Sequence, residues 1–233
     1  MDINLMTVLI TGAASGIGHA LSLGFLDDGA KVVAVDINPE GLKPLAEKGA
    51  VTRTVDVTDP AQVDGMVQTA VDETGRLDVL FNNAGLGLSK KLCEHEPNQF
   101  EKLISVNLIG PYYGMRAAIP VMREQGFGRI ISLLSRGAEA GAPGMGAYGA
   151  SKAGLFALTR TVARETADAD ILVNGLIPGI SKTGMMPFGQ DPSLAYSTAH
   201  MLATLPTGGP TGKVFWDEKE YFLFDESNET FQR

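Results

Sequence analysis

Apolar runs of strand length alternate with amphipathic stretches through most of the chain, the pattern of strand–helix–strand units whose parallel sheet is covered on both faces. Met6–Ile10 and Lys31–Val35 read as the first two strands, because their apolar residues run on without polar alternation. Between them Ile17, Ala20, Leu21, Gly24 and Phe25 recur at helical spacing, and Gly29 supplies the stop. Val51–Val55 predicts a short third strand. Asp59 followed by Pro60 then predicts a capped helix with Val63, Met66, Val67 and Ala70 on its apolar side. Leu77–Phe81 predicts a fourth strand, followed by a helix near Pro97 and a longer one from Val106 to Met122, whose ends Pro111 and Pro120 leave open. Arg129–Leu134 predicts a fifth strand, Tyr148–Glu165 a helix and Ile171–Leu176 a sixth strand. From Pro178 to Pro210 the sequence is rich in Gly, Pro and Met, with one helical patch near Leu194–Leu205. Val214–Trp216 predicts a last strand, and the acidic tail from Asp217 is expected to be peripheral.

Strands of this kind joined by right-handed crossovers give an α/β fold, a doubly wound parallel sheet of Rossmann type, here expected as a single domain over 1–233. In such sheets ligands sit outside the carboxyl ends of the strands, so the chemistry is to be sought just after each strand. With 233 residues and no repeat or linker, the chain can bury a core without disulfide or metal. Its one cysteine, Cys93, has no internal partner, and His19, His95 and His200 are dispersed, so no metal site is expected. A formal charge of -8 argues against nucleic acid and anionic membrane as partners. No apolar run is long enough to span a bilayer, and the first residues lack a signal-peptide pattern, so a cytoplasmic location is the expectation.

Thr11 to Gly18 forms a glycine-rich turn between strand and helix. Gly12, Gly16 and Gly18 allow a close backbone approach, while Ser15 and the helix start at Gly16 and Ile17 offer N–H groups to a pyrophosphate. The same residues also suit an ordinary tight turn. Asp36 ends the second strand, where a carboxylate can accept from the ribose hydroxyls of an adenine nucleotide and repel a 2′-phosphate. No basic residue stands beside it, so NAD(H) is expected over NADP(H); a turn-capping aspartate is the other reading. After the fifth strand comes Ser135, and Tyr148 and Lys152 lie one above the other at helical i,i+4 spacing. A neighbouring ammonium favours a phenolate, which would make Tyr148 a usable acid and base, with Ser135 holding the substrate oxygen. Taken alone, that spacing equally describes a solvated helix face.

Together these segments resemble the short-chain dehydrogenase/reductases. The resemblance is carried by Thr11–Gly12 through Gly16–Ile17–Gly18, Asp56–Val57, Asn82–Asn83–Ala84–Gly85, Asn107, Ser135, Tyr148 to Lys152, and Pro178–Gly179 with Thr183. It implies hydride transfer between nicotinamide and a carbon bearing oxygen. Tyr148 would be the acid/base, Ser135 would orient the substrate oxygen, and Lys152 would bind the nicotinamide ribose and lower the Tyr148 pKa. It further implies that Asn107 supports a water linked to Lys152 and that Asp56 and Val57 flank the adenine. Asn83, Ala84 and Gly85 would line the cofactor, and Ile177 through Pro178, Gly179 and Ile180 to Thr183 would meet the nicotinamide end. Homodimers or homotetramers are the expected assemblies.

The chain departs from the family pattern in places. Ser132 stands where many relatives carry asparagine, Leu172 replaces a frequent arginine, and the substrate-loop region at about 179–210 is short for the family. A short loop predicts an open or partner-completed pocket, with Met185, Met186, Phe188, Leu86, Leu88, Met145 and Met201 either lining it or belonging to the core. Arg136 either reaches a substrate carboxylate or is an exposed strand-end arginine, and Tyr221–Phe224 covers the core edge or meets another subunit. The leading expectation is an NAD-dependent oxidoreductase acting on a small or medium apolar secondary alcohol or ketone. The alternatives are a 3-oxoacyl thioester reductase and a non-catalytic nucleotide-binding regulator on the same fold.

Overall fold

Uninterrupted runs such as Val8–Ile10, Val32–Val35 and Ile171–Val173 have no solvent-facing side, so each strand they form must be covered above and below. The computed structural model describes residues 2–182 and 188–225. The chain runs β1 (Thr7–Thr11), α1 (Gly16–Asp27), β2 (Lys31–Asp36), α2 (Pro39–Glu47), β3 (Val51–Thr54), α3 (Pro60–Thr74), β4 (Val79–Asn82) and α4 (Gln99–Ile104). A π-helical turn over Ser105–Ile109 leads into α5 (Gly110–Gln125), β5 (Gly128–Leu133), α6 (Gly146–Glu165) and β6 (Ile171–Ile177). Last come α7 (Tyr196–Ala203), β7 (Val214–Trp216) and β8 (Lys219–Glu220). Among the described residues the eight strands share one sheet in the order β3-β2-β1-β4-β5-β6-β7-β8. It is parallel from β3 to β7, and only β8 is antiparallel. The winding direction reverses between β1 and β4, which puts the crevice of the doubly wound sheet at their carboxyl ends.

One apolar cluster joins the sheet to α1, α2 and α7, around Phe25, Leu42, Leu45, Phe81 and Leu202. The other joins it to α3, α5 and α6, around Met66, Met115, Leu155 and Val173.

Three expectations change on inspection and a fourth is refined. The helix α2 has no counterpart in the predicted elements; Asn38 caps it by accepting from Glu40 N, Pro39 starts it, and only Leu42 and Leu45 reach the core. β4 begins at Val79 rather than Leu77, because the Asp78 carboxylate, fully buried, accepts from Thr7 N at 2.8 Å and pairs with Arg76. The long helix expected from Val106 starts at Gly110, since Ser105–Ile109 winds as a π turn. The tail as far as Asp225 lies at the sheet edge and is mostly exposed, but it is anchored there: it pairs as β8, buries Leu223 and packs Tyr221 against the α6 side.

Candidate functional site

The glycine turn is built around contacts that no side chain leaves room for. A Cβ on Gly12, whose φ is +69°, would stand 2.8 Å from Ala84 Cα, and one on Gly18 would collide with Gly12 O and Asn83 Nδ2. Thr11 and Asn83 fasten the turn to the end of β4: Thr11 Oγ1 accepts from the N–H groups of Asn83 and Ala84, and Asn83 Nδ2 donates to Thr11 O and Gly12 O. Ser15 caps α1 without a side-chain hydrogen bond, and the first intrahelical bond is His19 N to Ser15 O. The N–H groups at the start of α1 therefore point outward with no intrahelical acceptor, where an anion would sit. A groove of about 510 Å³ opens beside this helix, lined among others by Gly16, His19, Lys182 and Ser193. His19 and Lys182 thus border the helix start; Lys182 comes from a loop far along the chain, so no local pattern pointed to it.

Asp36 is pinned from both sides. Its Oδ2 accepts from Ala14 N at 3.0 Å and its Oδ1 from Asn38 N at 2.9 Å, which aims the carboxylate beside the turn. Asp56 turns its carboxylate onto its own loop, where Oδ1 accepts from Thr58 N and Oγ1, while Val57 lies against the start of α5 at Gly110.

At the other end of the crevice, Ser135 follows β5, and its Oγ accepts from Gly137 N at 3.0 Å. Tyr148 and Lys152 rise from the first turns of α6. Burial pushes the Tyr148 phenol up, and a hydrogen bond with Ser135 pulls it back only in part. Lys152 is buried; its Nζ donates to Leu133 O at 2.6 Å and lies 5.8 Å from the Tyr148 ring centroid. Burial lowers the Lys152 ammonium to about 8. The three groups therefore converge, and burial, the larger influence on the phenol, holds it above its ordinary value. Lysine has three N–H donors, and Lys152 uses one of them on the protein. Asn107 is buried in the π turn, where its Oδ1 accepts from Leu86 N and its Nδ2 donates to Leu86 O and Ser151 Oγ. Its side chain ties the loop after β4 to α6 between Tyr148 and Lys152, rather than contacting Lys152 itself.

The loop after β6 brings Pro178, Gly179 and Ile180 to the same edge. Gly179 has φ +72°, Pro178 O accepts from Gln190 Nε2 at 3.0 Å, and Ile180 and Lys182 pair through the backbone with Gln190. Thr183, Met185 and Met186 lie outside the described residues. Leu86, Ile180 and Phe188 are exposed, whereas Met201 packs against the core cluster with α1. Glu139 had no sequence signal. It is buried just after Ser135, with the Tyr221 hydroxyl and Phe224 N each donating to it at 2.5 Å.

The residues present fit a dinucleotide: an anion cradle at a helix start, a fixed carboxylate beside it and a buried ammonium with unused donors. Fold and site together define an oxidoreductase of the doubly wound α/β class. The short chain dehydrogenase family matches residues 6–191, and the chain belongs to it. It is 39% identical over 206 residues to the 3-oxoacyl-(acyl-carrier-protein) reductase of Thermotoga maritima, a match covering 86% of this chain and 82% of that protein. A crystal structure of levodione reductase superposes with a TM-score of 0.86 at 28% identity, covering 91% of this chain and 95% of that one. The 3-ketoacyl-(acyl-carrier-protein) reductase of Brucella melitensis, solved in complex with NADH, superposes with a TM-score of 0.85 at 30% identity, covering 91% and 96%. Members of this family use a nicotinamide cofactor. Among the described residues no helix is long and apolar enough to cross a membrane, and no cluster of side chains is arranged to hold a metal ion.

Proposed function

We propose that the protein is an NAD(H)-dependent oxidoreductase that interconverts a small or medium secondary alcohol and its ketone. The observation that carries this reading is the convergence of Ser135, Tyr148 and Lys152 at the carboxyl end of β5, across the crevice from the α1 cradle. When bound, nicotinamide supplies or accepts the hydride at the carbon bearing oxygen. The raised pKa keeps Tyr148 protonated at neutral pH, so its hydroxyl is ready to give a proton to the substrate oxygen during reduction. Ser135 Oγ holds that oxygen beside the phenol. Lys152 directs its two remaining N–H groups to ribose hydroxyls and lends its charge to the phenolate left behind. Gly12 to Gly18 takes the pyrophosphate, Asp36 the adenosine ribose, Asp56 and Val57 the adenine side, and Asn83, Ala84 and Gly85 the face under the nicotinamide. Pro178, Gly179 and Ile180 close the nicotinamide end.

The pinned carboxylate of Asp36 supports NAD(H) over NADP(H), and the NADH held by the Brucella relative is consistent with that preference. Asn107 serves by holding the loop at Leu86 against α6. The exposed Leu86, Ile180 and Phe188 favour an apolar substrate body, and a ketone is what the name levodione reductase also denotes. A second reading, reduction of 3-oxoacyl thioesters, is favoured by the Thermotoga relative. The assembly proposed is a homodimer or homotetramer, which sedimentation would establish.

Tyr148→Phe is the decisive variant. It should cut turnover of a ketone panel by more than about a thousandfold while leaving NADH affinity, read by NADH fluorescence, nearly intact. Near-normal turnover would refute the assignment. Binding of NADH without turnover of any carbonyl compound by the wild type would favour a nucleotide-binding regulator instead.

A further inference from the structure

Arg136 follows Ser135 directly and is half-buried, yet none of the ion pairs among the described residues includes it. Arg53, Arg160 and Arg164 also lie outside those pairs, but Arg136 alone of these arginines adjoins Ser135. Its guanidinium carbon lies 4.6 Å from the centroid of the Trp216 ring at the end of β7. The indole Nε1 in turn stands 3.6 Å from where a Cβ on Gly179 would be. The guanidinium thus reaches from the end of β5 to the end of β7, past the loop that leaves β6. Glu139, three residues along, turns its two oxygens toward the Tyr221 hydroxyl and Phe224 N. Stacking on an indole fixes a guanidinium in position while leaving its N–H edge available, and that edge matches a carboxylate with two parallel hydrogen bonds.

The geometry points to Arg136 as a specificity-determining residue that binds a carboxylate on the substrate, so that oxo acids and the matching hydroxy acids are preferred over neutral ketones and alcohols. This rests on the oxidoreductase reading of Ser135, Tyr148 and Lys152. The reaction is unchanged in its balance: the carbonyl carbon gains a hydride from reduced nicotinamide, its oxygen gains the Tyr148 proton, and the carboxylate remains ionised. The apolar body of the acid lies toward Leu86 and Ile180.

Trp216 is the sole tryptophan, so events at Arg136 can be read from its emission. Wild type, Arg136→Met and Arg136→Lys are compared on straight-chain oxo acids and methyl ketones of matched length. They are also titrated with valerate, an unreactive carboxylate, in the presence of NAD. Arg136→Met should lower the acid-to-ketone ratio of kcat/KM about 10- to 100-fold, chiefly through a higher KM for the acid, with Arg136→Lys in between. Valerate should shift Trp216 emission in the wild type and not in Arg136→Met. Should Arg136→Met fail to fold, Arg136→Lys and the wild-type titration with valerate against pentanol carry the test. Turnover of ketones with the same acid-to-ketone ratio in all forms, or an equal response to valerate and pentanol, overturns the carboxylate assignment alone. Absence of turnover with every carbonyl compound overturns the oxidoreductase reading together with it.

Discussion

Lys152 shows how burial shapes the chemistry available to a single side chain. Its charged form is disfavoured by desolvation and brought to about 8, from 10.5 for an exposed lysine. Because the folded-state pKa lies below the unfolded one, the burial cost is present in full below pH 8 and is relieved as pH rises toward the unfolded value. The wild type should therefore gain stability relative to Lys152→Met between pH 8 and about 10, which thermal melts across that range would show. The same titration removes the cation next to the phenol, so kcat/KM for ketone reduction should fall above pH 8 in the wild type. A profile flat to pH 10 would contradict it. At the cradle, Gly18→Ala places a methyl group against Gly12 O and Asn83 Nδ2, and the backbone oxygen cannot move aside cheaply. NADH affinity should drop at least about tenfold, with a loss of about 1–3 kcal/mol in stability by urea unfolding.

At the scale of elements, the tail after β7 is the part of the structure that changes the picture of the site most. Buried Glu139 receives Tyr221 and Phe224, Trp216 packs edge-on to Tyr221, and Phe224 lies against Phe156 of α6, so the tail braces the segment that presents Ser135. Glu139→Ala removes the acceptor shared by the Tyr221 hydroxyl and Phe224 N, and it should cost about 1–3 kcal/mol in urea unfolding and lower kcat for ketone reduction. The β7–β8 hairpin turns through Asp217 and Glu218, both at positive φ (52° and 60°), a conformation that suits glycine. Glu218→Gly should accordingly stabilise the protein by about 1 kcal/mol, because its backbone N–H can still donate to Thr198 Oγ1. Neither feature was legible in the sequence. A two-residue antiparallel strand of Lys219 and Glu220 has no apolar pattern, and a glutamate gives no sign that distant partners will bury it. α2 escaped for a related reason, since two core leucines are too few to establish a period and Pro44 sits inside the helix. By contrast β1, β2 and β5 through β7, with α1, α3 and α6, were legible to within a few residues, because continuous apolar runs and the Asp59–Pro60 start act locally. The glycine turn, Asp36 and the Tyr148–Lys152 pair were legible as candidates for the same reason, whereas Glu139 and Lys182 acquire their surroundings only through tertiary contacts.

For the whole molecule, the site is assembled from the carboxyl ends of β1, β2, β4, β5 and β6, which are separate in sequence and adjacent only in the sheet. A dinucleotide lying across them would bridge both sides of the switch point, so its binding should be felt as global stability. A ligand present at about a hundred times its Kd stabilises the folded state by about 2.7 kcal/mol, which for a chain of this size moves Tm by about 5–10 °C. NADH should give a shift of that size at saturating concentration. NADPH at equal concentration should give less, because a 2′-phosphate would meet the Asp36 carboxylate held in place by Ala14 N and Asn38 N. Asp36→Ala should bring the two shifts together by weakening the response to NADH and strengthening that to NADPH. Tyr148→Phe should leave both almost unchanged, since it removes a proton donor and not the cradle. An NADPH shift equal to or larger than that of NADH in the wild type would overturn the role given to Asp36 while leaving the Ser135, Tyr148 and Lys152 assignment standing, because the two depend on opposite ends of the crevice.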